Sequence, residues 1–158
     1  MSKMLENKVA LVTGGGRGIG EASGRLLAQH GAKVILADLD VVSAQAVADD
    51  IKTQGGEAAA LEFNVADFDR IQEKVDAAKA IYGSIDILVN IAGITGSRPI
   101  EEITFDSWDK MMNIDLKAMF FLTQAVFTLM HDQRPQKYSS IHSFRRTRQY
   151  TKPKAAGL

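Results

Sequence analysis

The sequence predicts an α/β fold in which a doubly wound parallel sheet is covered by helices on both faces. Three observations carry this expectation. An apolar run over residues 9–12 breaks abruptly into Thr13-Gly-Gly-Gly-Arg-Gly-Ile-Gly20. Apolar runs and helix-period patterns then alternate along the chain with short connections, which favours right-handed βαβ crossovers. Glycines fall just after successive helical patterns, where a left-handed cap favours them.

In chain order, the spacing predicts strands over 9–12, 33–37, 58–63 and 85–89. Between them it predicts helices over 19–30, 42–53 and 67–82. In the first helix Ile19, Ala22 and Leu26 share a face, and in the second Val47 and Ile51 do. Ile71, Val75, Ala78 and Tyr82 line the third, with Asp67 as its expected N-cap. Gly31, Gly55-Gly56 and Gly83 mark the helix ends. The apolar stretch over 111–130 is interrupted by Asp115 and Lys117, so it reads as a buried helix and not as a membrane span.

A length of 158 residues with 46% hydrophobic content suits one well-buried domain, expected to span 1–158, and is too short for two comfortable ones. The absence of cysteine excludes disulfides and thiolate metal sites and fits a cytoplasmic protein; no metal site is expected. The first eight residues lack the apolar core of a signal peptide. Formal net charge is zero, yet no acid follows Asp132 whereas Arg134, Lys137, Arg145, Arg146, Arg148, Lys152 and Lys154 all do. With aromatic residues sparse, this basic segment reads as a solvated surface in preference to a nucleic-acid contact.

The glycine turn is the first candidate site. A buried strand, a turn without side chains and a helix N-terminus bring backbone N–H groups and the positive end of a helix dipole together, as an anion site requires. Gly14, Gly18 and Gly20 give a G-x-x-x-G-x-G spacing, distinct from a P-loop. Asp38 follows about twenty residues on, at the end of the second strand, where a carboxylate accepts hydrogen bonds from an adenosine ribose and repels a 2′-phosphate. Its alternative role is to cap the helix before Val41. Arg17 pulls toward a 2′-phosphate. The carboxylate outweighs it, so NAD is favoured over NADP.

Taken together, Thr13–Gly20, Asp38, Asn64-Val65, Asn90-Ile-Ala-Gly93 and Tyr150-Thr-Lys-Pro-Lys154 occur in the order seen in short-chain dehydrogenases/reductases, and the chain resembles that family from Lys8 onward. The first two-thirds is similar to a ketoreductase or to an alcohol or sugar dehydrogenase. The resemblance implies a Rossmann-type sheet and an NAD(P)-dependent oxidoreductase acting on a small alcohol or ketone, and we expect it to be homo-oligomeric. It implies that Gly14, Arg17, Gly18, Ile19 and Gly20 surround the pyrophosphate, and that Asp38 holds the adenosine ribose. Asn64 and Val65 would border the adenine, Asn90 the nicotinamide-side ribose, and Ala92 and Gly93 the cofactor cleft. Tyr150 would be the catalytic acid/base, Lys154 its activating partner, and Ser140 the group orienting the carbonyl, with Ser139 as an alternative. A Tyr needs such a cation because its free pKa lies near 10.

Some positions depart from the family pattern. Counting from Trp108, the catalytic Asn position falls on Asp115, which cannot donate a hydrogen bond when ionised. Arg134-Pro-Gln-Lys-Tyr-Ser-Ser140 offers little to bury as a fifth strand. The Ser140–Tyr150 gap is tighter than usual, and Pro153 requires a helix starting near Tyr150. The sequence stops where the helix carrying Tyr150 should begin, so a truncated sheet is expected. The alternative reading is a catalytically inactive dinucleotide-binding remnant or interaction module.

Overall fold

Val9–Thr13 forms strand β1, and every one of its residues is buried. Such a strand can only lie inside a sheet covered on both faces. A computed structural model, which describes residues 3–96 and 99–133, gives that arrangement. Helix α1 (Gly18–Gln29) follows, then β2 (Lys33–Asp38), α2 (Val41–Thr53), β3 (Glu57–Glu62), α3 (Ile71–Tyr82) and β4 (Ile87–Asn90). Beyond them come α4 (Phe105–Met112), a π-helical stretch (Asn113–Ala118) and α5 (Met119–Gln133).

The four strands are parallel in the order β3-β2-β1-β4. Thr13 of β1 stands opposite Ala37 of β2 on one side and Asn90 of β4 on the other. The chain therefore lays strands outward from β1 in one direction and then returns to its other side, leaving a switch point at the carboxyl ends of β1 and β4.

Alternation along the strands divides the core. Val9, Leu11, Ile35 and Ala37 face one way, against Ile71, Val75 and Ala78 of α3 and Leu122 and Val126 of α5. Val12, Val34 and Leu36 face the other way, against Ala28 of α1 and Ala44, Val47 and Ile51 of α2. Helix α1 lies close to the sheet: a Cβ on Gly24 would come within 2.6 Å of the Leu36 side chain. The expected helix-end glycines Gly31, Gly55 and Gly83 all have positive φ.

The predicted elements are present with boundaries shifted by one to a few residues, and three readings need correction. Asp67 does not cap α3 with its side chain. Asn64 closes a turn of its own there, its Oδ1 accepting from Ala66 N–H at 3.0 Å and its carbonyl from Asp67 N–H at 3.1 Å. A single 3₁₀ turn (Phe68–Arg70) then precedes the helix. Nor does Asp38 cap α2, because Asp40 does, accepting from Ser43 N–H at 3.1 Å. The stretch over 111–130 is not one buried helix. It is split by the π-helical turns, and only Ala118, Leu122 and Val126 of that stretch are buried. Among the described residues, no helix is long and apolar enough to cross a membrane.

The first residue of the predicted fourth strand, Ile85, is bonded by a side chain instead of a neighbouring strand. The carboxamide of Gln133, at the end of α5, accepts from Ile85 N–H at 3.0 Å and donates to Ile85 carbonyl at 2.9 Å. Gln133 thus completes the backbone bonding of Ile85, and regular pairing begins at Ile87.

Candidate functional site

At the end of β1 the chain must turn sharply under α1, and the packing leaves no room for side chains. Gly14 takes φ +67° and Gly18 φ +56°, conformations disfavoured for residues with a Cβ. A Cβ on Gly20 would lie 1.9 Å from the Gly14 carbonyl oxygen. The turn is tied to β2, with Gly15 N–H donating to the Ala37 carbonyl at 3.2 Å and Gly16 N–H to Asp38 Oδ2 at 2.9 Å. Arg17, the N-cap of α1, makes no side-chain cap bond. The first-turn N–H groups of α1 therefore face outward without a capping side chain, as an anion cradle needs.

Asp38 ends β2 beside this cradle. Its Oδ1 accepts from Asp40 N–H at 3.0 Å while Oδ2 holds Gly16, so the carboxylate is fixed by two backbone donors. Two oxygens offer about four lone-pair sites, which leaves acceptor capacity on each. Next to it, the Asp40 carboxyl is held below the usual aspartate range, mainly by the Ser43 hydroxyl and backbone N–H, with a small contribution from the Arg17 guanidinium.

On the other side of β1, Thr13 shapes the loop leaving β4. Its hydroxyl is 1% exposed with the rest of the residue. Oγ1 donates to the Val89 carbonyl at 3.5 Å and accepts from Ile91 N–H at 3.1 Å and Ala92 N–H at 3.2 Å. This one side chain uses its donor on β4 and both lone pairs on the following loop, which faces the glycine turn. A Cβ on Gly14 would sit 3.0 Å from Ala92 N, so the two loops lie close together.

Between them opens a cleft of about 340 Å³. Gly14, Arg17, Ile19, Asp38, Asn64, Val65, Ala92 and Gly93 all line it. Leu39, Phe63, Ile91, Ile94 and Ile114 line it too, and the sequence reading did not single these out as site residues. Ile19 is 75% exposed and Leu39 68%, an apolar lip on a concave surface that suits a flat apolar ligand group. Gly18 and Gly20 build the turn beneath the cleft. Asn90 points to α5, its Nδ2 donating to Thr123 Oγ1 at 3.1 Å. Asp115, from the π-helical stretch, accepts from Ile94 N–H at 2.8 Å through Oδ1. Ser139, Ser140, Tyr150 and Lys154 lie outside the described residues.

Thr13 shapes the cleft wall, and sequence reasoning gave it no role of its own. A hydroxyl at the last residue of a fully buried strand must find partners, and that requirement was a usable signal. The apolar liners had none, since nothing in an isoleucine distinguishes cleft wall from core. Among the described residues no group of three or more His, Cys, Asp and Glu is placed to hold a metal ion. A second hollow, at the opposite edge of the sheet, is lined by Arg25, Gln54 and Gly55. Its arginine is already paired with Glu21 and Asp50 and raised in pKa by them.

A glycine-cornered cleft at the switch point of a parallel sheet defines an α/β domain of the Rossmann type. Residues 8–141 match the family model for the short chain dehydrogenase, and the chain belongs to that oxidoreductase family. It is 38% identical over 122 residues to a cyclohexanol dehydrogenase of Acinetobacter sp. (strain SE19), covering 77% of this chain and 49% of that protein. It is 38% identical over 139 residues to a 3-oxoacyl-acyl-carrier-protein reductase of Thermotoga maritima, covering 88% and 56%. A crystal structure of a dehydrogenase/reductase from Sinorhizobium meliloti 1021 superposes with a TM-score of 0.78 at 37% identity, over 82% of this chain and 52% of that one. The chain thus spans about half the length of the relatives it matches.

Proposed function

We propose that this chain binds a nicotinamide dinucleotide, NAD in preference to NADP, and belongs to a cytoplasmic enzyme that moves a hydride between that cofactor and a small alcohol or ketone. One observation carries the reading: a side-chain-free turn opens onto the N-terminus of α1, with the Asp38 carboxylate locked against it by Gly16 N–H. The residues fit the group. Gly14, Gly18, Ile19 and Gly20 would cradle the pyrophosphate with backbone N–H groups, and Arg17 would face it with a positive charge. Asp38 would accept from the adenosine ribose hydroxyls and repel a 2′-phosphate. Asn64 and Val65 border the adenine side in this reading, with Ile19 and Leu39 offering apolar contact. Ala92 and Gly93 wall the other half, and Asn90 supports that half by holding β4 to α5. The two relatives named above act, by their names, on an alcohol and on an oxo group, which supports the substrate class.

When bound, the dinucleotide supplies the hydride acceptor or donor. The chain's own residues would supply the proton chemistry. Tyr150 would hold and release the proton on the substrate oxygen, and Lys154, four residues on, would favour its phenolate. Ser140, or Ser139, would orient the carbonyl, and Asp115 would act beside them from the π-helical stretch that packs on the loop after β4. In this reading residues 1–158 form a single dinucleotide-binding domain of a homo-oligomeric enzyme.

Titration of the full chain with NADH, followed by nicotinamide fluorescence, tests the binding reading. Saturable binding that weakens about tenfold or more in Asp38→Ala is expected, and no saturable change in the unmodified chain would overturn it. Turnover on a panel of alcohols and ketones tests the chemistry separately; it should disappear in Tyr150→Phe, and undiminished turnover would remove Tyr150 from the site.

A further inference from the structure

Asp115 places a negative charge at one end of the cleft, and that end can be assigned. Asp38 stands at the carboxyl end of β2, the glycine turn at that of β1, and the Ile91–Ile94 loop follows β4 on the far side of β1. A dinucleotide with its pyrophosphate on the glycine turn and its adenosine at Asp38 must send its other half toward β4. Asp115 belongs to that end. Its Oδ1 accepts from Ile94 N–H at 2.8 Å, and a Cβ on Gly93 would lie 3.2 Å from the same oxygen. The carboxylate therefore lies against two residues that line this end of the cleft, Gly93 and Ile94, and next in sequence to a third, Ile114.

Its charge is not neutralised by the described residues. Asp115 makes no ion pair among them, and its one side-chain hydrogen bond is to a neutral backbone donor. Lys117, two residues on, is engaged elsewhere, 4.3 Å from the centre of the Phe68 ring. The π-helical turn sets this arrangement by carrying Ile114 into the cleft wall and Asp115 onto the loop.

The oxidised nicotinamide ring carries a positive charge and the reduced ring carries none, while the remainder of the molecule is the same in both. Repulsion between Asp115 and the phosphates is therefore common to the two forms and cancels in their ratio, leaving the ring charge as the difference. From this, and resting on the dinucleotide reading above, we infer that Asp115 biases the site toward the oxidised dinucleotide, so that NAD+ binds more tightly relative to NADH than it would beside a neutral side chain.

Calorimetric titration of the full chain with NAD+ and, separately, with NADH tests this without relying on turnover. Asp115→Asn retains an oxygen for Ile94 N–H and removes the charge. It should lower the preference for NAD+ over NADH by about three- to tenfold, the range expected for one charge at a partly solvated site. Asp115→Ala, which also loses the loop bond, should weaken both forms while showing the same loss of preference. In the unmodified chain the preference should shrink as salt is added, because the charge is exposed to screening. An unchanged NAD+ to NADH ratio in both variants would overturn the inference while leaving the dinucleotide reading intact. Failure of the unmodified chain to bind either form would instead overturn both.

Discussion

Gly20 shows how a single missing methyl group can decide a site. With its Cβ position 1.9 Å from the Gly14 carbonyl, Gly20→Ala must push the turn away from α1. We expect a loss of about 1–3 kcal/mol in urea unfolding together with loss of NADH binding. Thr13 is the complementary case, since its hydroxyl matters where the glycine's lack of a side chain does. Thr13→Val preserves the shape but leaves the N–H groups of Ile91 and Ala92 without their acceptor, at a cost of about 1–3 kcal/mol by chemical denaturation. Thr13→Ser should restore most of it. Asp38→Ala removes an acceptor from both Gly16 and the proposed ribose, and NADH affinity should fall about tenfold or more by fluorescence titration. The turn at Gly14 and Gly20 and the place of Asp38 at the end of β2 were legible from their spacing. The reach of Thr13 across to β4 was not, because β4 lies more than seventy residues away in sequence and is adjacent only in the sheet.

At the scale of elements, α1 and α2 are fastened by charged groups at the surface. Arg25 of α1 pairs with Glu21 and with Asp50 of α2, and Asp50 also accepts from Gln54 Nε2 at 3.1 Å. Asp40 caps α2 through Ser43. Asp50 is held below the ordinary aspartate value of 3.8 chiefly by Arg25, and Asp40 by Ser43. Groups whose folded pKa is depressed contribute stability that is complete above the unfolded value and lost as pH falls through the folded one. The melting temperature should therefore decline below about pH 3.8, and Asp50→Asn should make that decline shallower. Asp40→Ala should lower the melting temperature at neutral pH as well, because it removes the N-cap of α2. These helices were readable from periodicity. Their caps were harder to place, because Asp38, Asp40 and Asp67 are chemically equivalent in sequence and only the local backbone decides which accepts from a helix N–H.

At the scale of the whole molecule, the stretch over 111–130 departs most from its sequence pattern. Its apolar content suggested a buried helix, but Phe120 is 60% exposed and Phe127 64%. An apolar face of this kind on α5 favours association, which is the oligomer expected from the sequence. Sedimentation should show self-association of the full chain, and Phe120→Ser with Phe127→Ser should shift it toward monomer. A chain that sediments as monomer at every concentration would remove the expectation.

The sequence by itself determined the order of strands and helices, the glycine turn and the position of Asp38. Each is written in local signals: period, side-chain size and the residue types a turn or cap accepts. Only the tertiary structure decided that Thr13 and the glycine turn share one cleft with the Ile91–Ile94 loop, that Asn90 turns to α5, and that a π-helical turn brings Asp115 against that loop. Those relations depend on β4 pairing beside β1 and on how α5 packs over it. They are distances between residues far apart in the chain, and the geometry of the sheet sets them.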